Sequence, residues 1–331
     1  MHPEPTASIA LITYNQEAYI RQTVDSLLKQ RADFSFEIVV GEDASSDATR
    51  LILEEYRDRY PGKLSLLPEA SNKGLLLNFR DTLKSCRGRY IAICAGDDYW
   101  HDEYKLQKQV TFLDANPTFG LVHTDVDFYF EKNGKTLQQF NQQHQSRIVD
   151  GEVFEALLTG QFFIHALTAC FRRAAFEQHV DFGLFEREGF AYEDLPTWLC
   201  LSRHWHFKYL PDSTATYRII DDSVSRPKDP ARKIQFLKEH YKIKQYFIDR
   251  YNVAEETANA FSIHYHQKKF DTAYKWNIPA EAEESYQFLR SQGKADNRLF
   301  LKRMLLRYPG LKKSVGRFRR MLQPAVSVAD T

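Results

Sequence analysis

Two adjacent carboxylates, Asp97 and Asp98, follow an apolar run that closes on a glycine, Arg89-Tyr-Ile-Ala-Ile-Cys-Ala-Gly96. A strand ending this way delivers both side chains into a loop, and their oxygens suit Mg²⁺ or Mn²⁺. Such ions are held by one or two carboxylates while substrate phosphates complete the shell, so a nucleoside diphosphate is the natural guest. A plain Gly-Asp-Asp turn is the competing reading, since both residue types favour turns. Farther along, Phe190-Ala-Tyr-Glu193-Asp194-Leu-Pro-Thr-Trp198 sets a second acidic pair before a helical run, with Pro196 in the first turn where its missing N–H is tolerated. Helix capping by Asp194 is the bland account of that pair.

The elements that must position these residues alternate. Ser8 to Thr13 reads as a strand, followed by Ile20, Val24, Leu27 and Leu28 on one helical face. Phe36 to Val40 is a second strand; Ser46 is the expected N-cap of a helix bearing Leu51, Ile52 and Tyr56. Lys63 to Leu67 and Tyr90 to Cys94 are two more strands, separated by a helix capped by Asn72 and bearing Leu75, Leu76, Phe79 and Leu83. This βαβ alternation predicts right-handed crossovers and a mostly parallel sheet covered on both faces. Ligands of such sheets bind beyond the carboxyl ends of the strands, where Thr13-Tyr14-Asn15, Glu42-Asp43 and Asp97-Asp98 fall.

Those strand ends exclude several classes. The segment after the first strand contains no glycine, unlike a dinucleotide-binding turn, and no G-x-x-x-x-G-K-[ST] occurs. A sugar-phosphate nucleotidyltransferase would need a glycine-rich basic loop there, which is also missing. With 45 Lys and Arg against 44 Asp and Glu in 331 residues, the charge gives no reason to expect nucleic-acid binding. Cys86, Cys94, Cys170 and Cys200 lack C-x-x-C spacing and read as reduced, buried thiols of a cytosolic protein. The beginning of the chain has no signal-peptide pattern, and no apolar run approaches the roughly 18 residues of a membrane span. The expected location is cytoplasmic.

Four spaced motifs, Ala10-Leu-Ile-Thr-Tyr-Asn15, Val39-Val-Gly-Glu-Asp43-Ala-Ser-Ser-Asp47, Asn72-Lys-Gly74 and Ala95-Gly-Asp97-Asp98, resemble the ordered signature of family 2 glycosyltransferases with the GT-A fold. The resemblance covers residues 7 to 225. It implies a Rossmann-like mixed sheet, a nucleotide-sugar donor, probed first as a UDP-sugar, and Mn²⁺ or Mg²⁺. It assigns Thr13, Tyr14, Asn15, Glu17 and Asp43 to the base and ribose. An ionised Asp43 can accept hydrogen bonds from a uracil imide or a ribose hydroxyl; a capping turn through Asp43, Ser45 and Ser46 is the alternative, and Asp47 reads as first-turn charge on the helix dipole. Where the family has D-x-D this chain has Ala95-Gly96-Asp97, leaving Asp97 as main metal ligand and Asp98 either to reinforce it or to meet water or sugar hydroxyls. Lys73 is a further cation beside the donor or an idle loop lysine. Glu193 and Asp194 resemble the family's E-D pair, with Asp194 as base of an inverting reaction and Glu193 binding the acceptor or orienting the site. Tyr217-Arg218-Ile-Ile220 and Ser223-Val-Ser225-Arg226 resemble Y-R-x-H and S-x-S. Ile220 replaces the histidine, Asp221 or Asp222 is a substitute ligand or a mixed-charge loop, and Arg218 or Arg226 is a candidate for the diphosphate.

His123 reads as a hydrogen-bonded strand-end histidine, with Asp125 and Asp127 bordering an acceptor pocket; His204 and His206 do not share a helix face. The expected organisation is a catalytic domain over 1–227, with a donor half at 7–125 and an acceptor half at 126–227. A helical region over 228–323 and a disordered tail over 324–331 follow. Arg298 to Arg320 is basic with an apolar component, and either lies on an anionic membrane at the inner face of the plasma membrane or packs on the catalytic domain. Transfer of single sugars to a glycan or lipid-linked acceptor is the function these motifs imply. A nucleotidyltransferase and a non-catalytic sugar- or partner-binding module are the alternatives.

Overall fold

The computed structural model describes residues 4–144, 148–221 and 227–308. Asp222, Arg226, the basic stretch beyond 308 and the tail over 324–331 lie outside the described residues. Strand β1 (Ala7–Thr13) is buried along its whole length, as is β2 (Phe36–Glu42), the pattern of strands covered on both faces. Between them α1 (Ile20–Leu28) buries Ile20, Val24 and Leu27 at helical spacing. Helix α2 (Thr49–Arg59) buries Ile52, Leu53 and Tyr56, whereas Leu51, expected on its apolar face, is 64% exposed. Strand β3 (Leu64–Leu66), helix α3 (Leu75–Ser85) and β4 (Tyr90–Ala95) complete the alternation. The caps differ from expectation. Helix α2 starts at Thr49, with Ser46 turned to Asn15, and α3 starts after Gly74, whose φ of +86° suits glycine alone, with Asn72 bonded to the Asp43 carbonyl.

The chain continues through β5 (Tyr99–Trp100), α4 (Lys105–Ala115), β6 (Phe119–Phe130), β7 (Lys135–Leu137), α5 (Phe140–His144), α6 (Phe154–Thr159), β8 (Cys170–Arg172), α7 (Arg173–His179), α8 (Phe182–Arg187), α9 (Asp194–Ser202) and β9 (His206–Ile219). The described strands form one mixed sheet in the order β3-β2-β1-β4-β8-β6-β9-β5, with β7 beside β6. Strands β1 to β4 are parallel, β8 is inserted antiparallel between β4 and β6, and the long β6 and β9 run parallel. On one face Ile9, Leu11, Val40, Cys94 and Val126 share a core with Leu27, Leu53 and Val110. The other face carries an aromatic layer that includes Phe171 edge-on to Trp198 of α9, with ring centroids 5.8 Å apart.

The helices after the sheet are α10 (Pro230–Arg250), α11 (Glu255–Trp276), α12 (Pro279–Ser291) and α13 (Asn297–Arg307). The chain divides into two compact units. One comprises the described residues through 221 together with Lys242–Tyr251. There, Tyr246 packs edge-on to Phe190 at 5.5 Å, and the Arg203 guanidinium lies 4.8 Å from the ring centroids of both Phe154 and Tyr251. The other comprises residues 227–241 and 252–308, around a core of Phe270, Ala273, Ala282, Tyr286 and Leu306. In that unit Lys269 is buried between Glu281 at 2.8 Å and Glu284 at 2.7 Å. Two cations of α13 are also engaged: Lys302 pairs with Asp271 and Arg303 with Glu283 at 2.6 Å. Among the described residues no helix is long and apolar enough to cross a membrane.

Candidate active site

The carboxyl ends of β1 and β2 are knitted to each other. Asn15, at φ +52°, donates its amide to Ser45 Oγ at 2.9 Å and accepts the Ser46 amide on Oδ1 at 2.8 Å. Glu17 donates its amide to Asp47 at 3.0 Å, and its carboxylate accepts the Ala48 amide at 2.7 Å, so it supplies the first turn of α2 with an acceptor from a distant segment. Asp47 accepts the Thr49 amide at 2.9 Å, and its carboxyl is held below the usual range: burial opposes this, but bonds from Thr49 and Glu17 outweigh it. Tyr14 stands at this edge 46% exposed, and Thr13 is buried. Asp43 is 3% exposed, and its two oxygens accept the amides of Lys73 at 2.9 Å and Gly74 at 3.0 Å. Its carboxylate therefore fixes the 72–74 loop while each oxygen keeps a second lone pair. Lys73 does not stand as a free cation, because its ammonium pairs with Glu69 and with Asp81 at 2.9 Å.

The Asp97-Asp98 turn is held from three sides. Gly96 lies so close to β1 that a Cβ there would sit 2.3 Å from Gln16 Oε1 and 2.4 Å from Thr13 Oγ1. Thr23 of α1 donates its hydroxyl to the carbonyls of Gly96 at 2.8 Å and Asp98 at 2.7 Å. Arg218 of β9 donates Nε to the Asp97 carbonyl at 2.8 Å, NH1 to Glu131 at 2.5 Å and NH2 to Gln22 at 2.6 Å. The expected diphosphate ligand is thus a clamp, its fork already committed within the protein. Asp98 turns inward, 3% exposed, and accepts the Arg218 amide at 2.9 Å. Burial and then the Asp97 charge push its carboxyl well above the usual range. Asp97 remains half-buried at the loop, raised by burial and steadied by bonds from its own amide and the Gln16 side chain. Gln16, Gln22 and Glu131 carry no motif signal; only the fold brings them here.

At the start of α9, Asp194 accepts the Leu195 amide at 2.6 Å, and burial pushes its carboxyl up to about 6. Glu193 is pushed up to about 8 by burial and by the Asp194 charge, and its Oε2 is buried with no hydrogen-bond partner among the described residues. One other reading changes. His123 is 1% exposed, but neither ring nitrogen has a hydrogen-bond partner among the described residues; its ring packs against Phe162 and Tyr209, and burial lowers it to about 3. Asp125 accepts the amides of Asn141 at 2.8 Å and Gln142 at 3.2 Å, capping α5, while Asp127 accepts the Gln139 amide at 2.9 Å. Both acids border α5 as structural acceptors. His204 stacks on His179 at 3.9 Å, with rings 10° from parallel.

No group of three His, Cys, Asp or Glu side chains among the described residues could hold a metal ion. Asp97, the one carboxylate of the turn not committed to strand backbone, fits a weakly held Mg²⁺ or Mn²⁺ whose shell is completed by donor phosphates.

The mixed sheet with its helical continuation is the GT-A glycosyltransferase fold, as two solved structures show. The mannosyltransferase PcManGT of Pyrobaculum calidifontis, solved with GDP-Man and Mn²⁺, superposes with a TM-score of 0.53 at 17% identity, covering 93% of this chain and 85% of that one. Residues 1–349 of Staphylococcus aureus TarS, solved with UDP-GlcNAc, give 0.51 at 18% identity, covering 87% of this chain and 92% of theirs. Residues 8–180 match the model of glycosyl transferase family 2, and the chain belongs to that family. A Mycobacterium tuberculosis protein described as uncharacterized is 43% identical over 128 residues, 39% of this chain and only 37% of the relative's length. The putative teichuronic acid biosynthesis glycosyltransferase TuaG of Bacillus subtilis is 27% identical over 232 residues, 70% of this chain and 85% of TuaG.

Proposed function

We infer that the chain transfers a single sugar from a nucleoside-diphosphate sugar, with UDP-sugars the first candidates, to an acceptor hydroxyl with inversion, in the synthesis of a bacterial surface polysaccharide or lipid-linked glycan. The observation that carries this reading is Asp194: a half-buried carboxyl at a helix start that accepts the Leu195 amide and is pushed up to about 6, on a family 2 fold. A base poised near neutral pH is what hydroxyl activation requires. The names of TuaG and the UDP-GlcNAc bound to TarS support the glycan class and the donor class.

Asp194 takes the proton of the acceptor hydroxyl as that oxygen bonds to the anomeric carbon. The bond from that carbon to the diphosphate oxygen breaks on the opposite face, and the nucleoside diphosphate departs with the electron pair. Charge gathering on the departing diphosphate is offset by a divalent cation when one is bound at Asp97. Tyr14, Asn15 and Asp43 form the edge proposed for the base and ribose, and Arg218 holds the Asp97 turn in register with β9. Binding of a panel of nucleotide sugars, measured by calorimetry with Mn²⁺ and with Mg²⁺, is the decisive test. Wild type is expected to bind one donor class in a metal-dependent way and Asp97→Asn to lose that dependence. No binding and no slow hydrolysis across the panel would overturn the reading.

A further inference from the structure

Glu193 and Asp194 are neighbours at one helix start, yet their surroundings differ. Asp194 receives the Leu195 amide at 2.6 Å, so an ionised carboxylate there is hydrogen-bonded and close to the positive end of α9. Glu193 Oε2 is sealed from water and receives no donor among the described residues. An ionised oxygen in that position would lose its hydration with nothing in exchange, and it would face a second anion one residue away. The proton of the pair therefore belongs on Glu193. Asp194 is the charged group that acts on Glu193, and no cation among the described residues offsets the pair.

We propose that the acidic pair of α9 carries a single negative charge, on Asp194, and that Glu193 is a positioning residue that works as the neutral acid. This deepens the reading of Asp194 as the base and rests on it. A neutral Glu193 does not compete for the α9 amides, so Asp194 keeps both its bond to Leu195 and its basicity. When Glu193 ionises, the second anion must seek water, and the first turn of α9 that holds the base is disturbed. Transfer is thereby confined to a window that opens as Asp194 loses its proton and closes as Glu193 loses its own.

The test uses the full chain as wild type, Glu193→Gln, which copies the shape of the neutral acid, and Glu193→Ala, which removes it. Infrared difference spectra at neutral pH are expected to show a protonated-carboxyl carbonyl band that disappears in Glu193→Gln. Transfer by Glu193→Gln is expected to exceed that of Glu193→Ala by about tenfold, the scale of one buried polar contact, and to lose the alkaline decline while keeping the acidic one. An alkaline decline that persists in Glu193→Gln, or the absence of a Glu193-dependent band at neutral pH, overturns the proposal. If wild type transfers no sugar at all, the proposed function falls while the infrared band still decides where the proton sits.

Discussion

At the residue scale, the proposed chemistry turns on two carboxylates, Asp97 after β4 and Asp194 at the start of α9. Motif spacing names Asp98 and Arg218 but not the direction of their side chains, and both turn toward backbone, as their bonds to Arg218 N and the Asp97 carbonyl show. For Asp194 the expected outcome is sharp. Asp194→Asn leaves donor binding nearly intact and lowers transfer by at least about a hundredfold, measured by calorimetry and by product formation on the same preparation. As the proposed base, Asp194 must be ionised to work and its carboxyl is raised to about 6, so turnover is expected to rise as pH climbs through that value. Asp194→Asn, having no such group, gives residual turnover without that rise.

At the element scale, β9 is the part that pattern reading could not evaluate. The sequence suggests its Tyr217-Arg218 pair, but not that the strand lies parallel to β6 and reaches back to the turn after β4. The starts of α2 and α3 were misread for a related reason. The Ala48 amide ahead of α2 is satisfied by Glu17, and the 72–74 loop is held by Asp43, both partners about thirty positions away in the chain. Local cap rules see only neighbours. Arg218→Lys keeps the charge and loses the fork, so the bonds to the Asp97 carbonyl, Glu131 and Gln22 cannot all survive. The expected result is a loss of about 2 kcal/mol or more in unfolding free energy, given a buried charge left partly unpaired, together with weakened metal-dependent donor binding. His123 in the middle of β6 sets the acid limit of the same sheet. Folded His123 stays neutral down to about 3, whereas the unfolded side chain takes a proton below about 6.5. Folding stability therefore falls as pH drops through that interval, and His123→Phe is expected to flatten the fall in urea midpoints measured between about pH 6.5 and 4.

At the scale of the whole molecule, the broad architecture was readable because βαβ alternation and a glycine-poor helical end are properties of long stretches. The division between units was not, since the single helix α10 contributes to both. The expected chemistry of the cysteines follows from burial alone: all four are buried, and Cys170 and Cys200 are pushed up to about 12 by loss of solvent. A thiol reagent such as Ellman's is expected to find no reactive group in the native chain and all four after denaturation; rapid native labelling would contradict the burial described for them. The Arg218 clamp also bears on how the protein is made. Its partners Gln22 and Asp97 lie 196 and 121 positions earlier, so the ribosome finishes every strand that lines the donor edge well before it releases the residue that locks the Asp97 turn. A nascent chain halted before β9 can close local βαβ units but lacks the residue that fixes the Asp97 carbonyl. The Asp97 turn thus takes its final shape late in synthesis, with a single arginine.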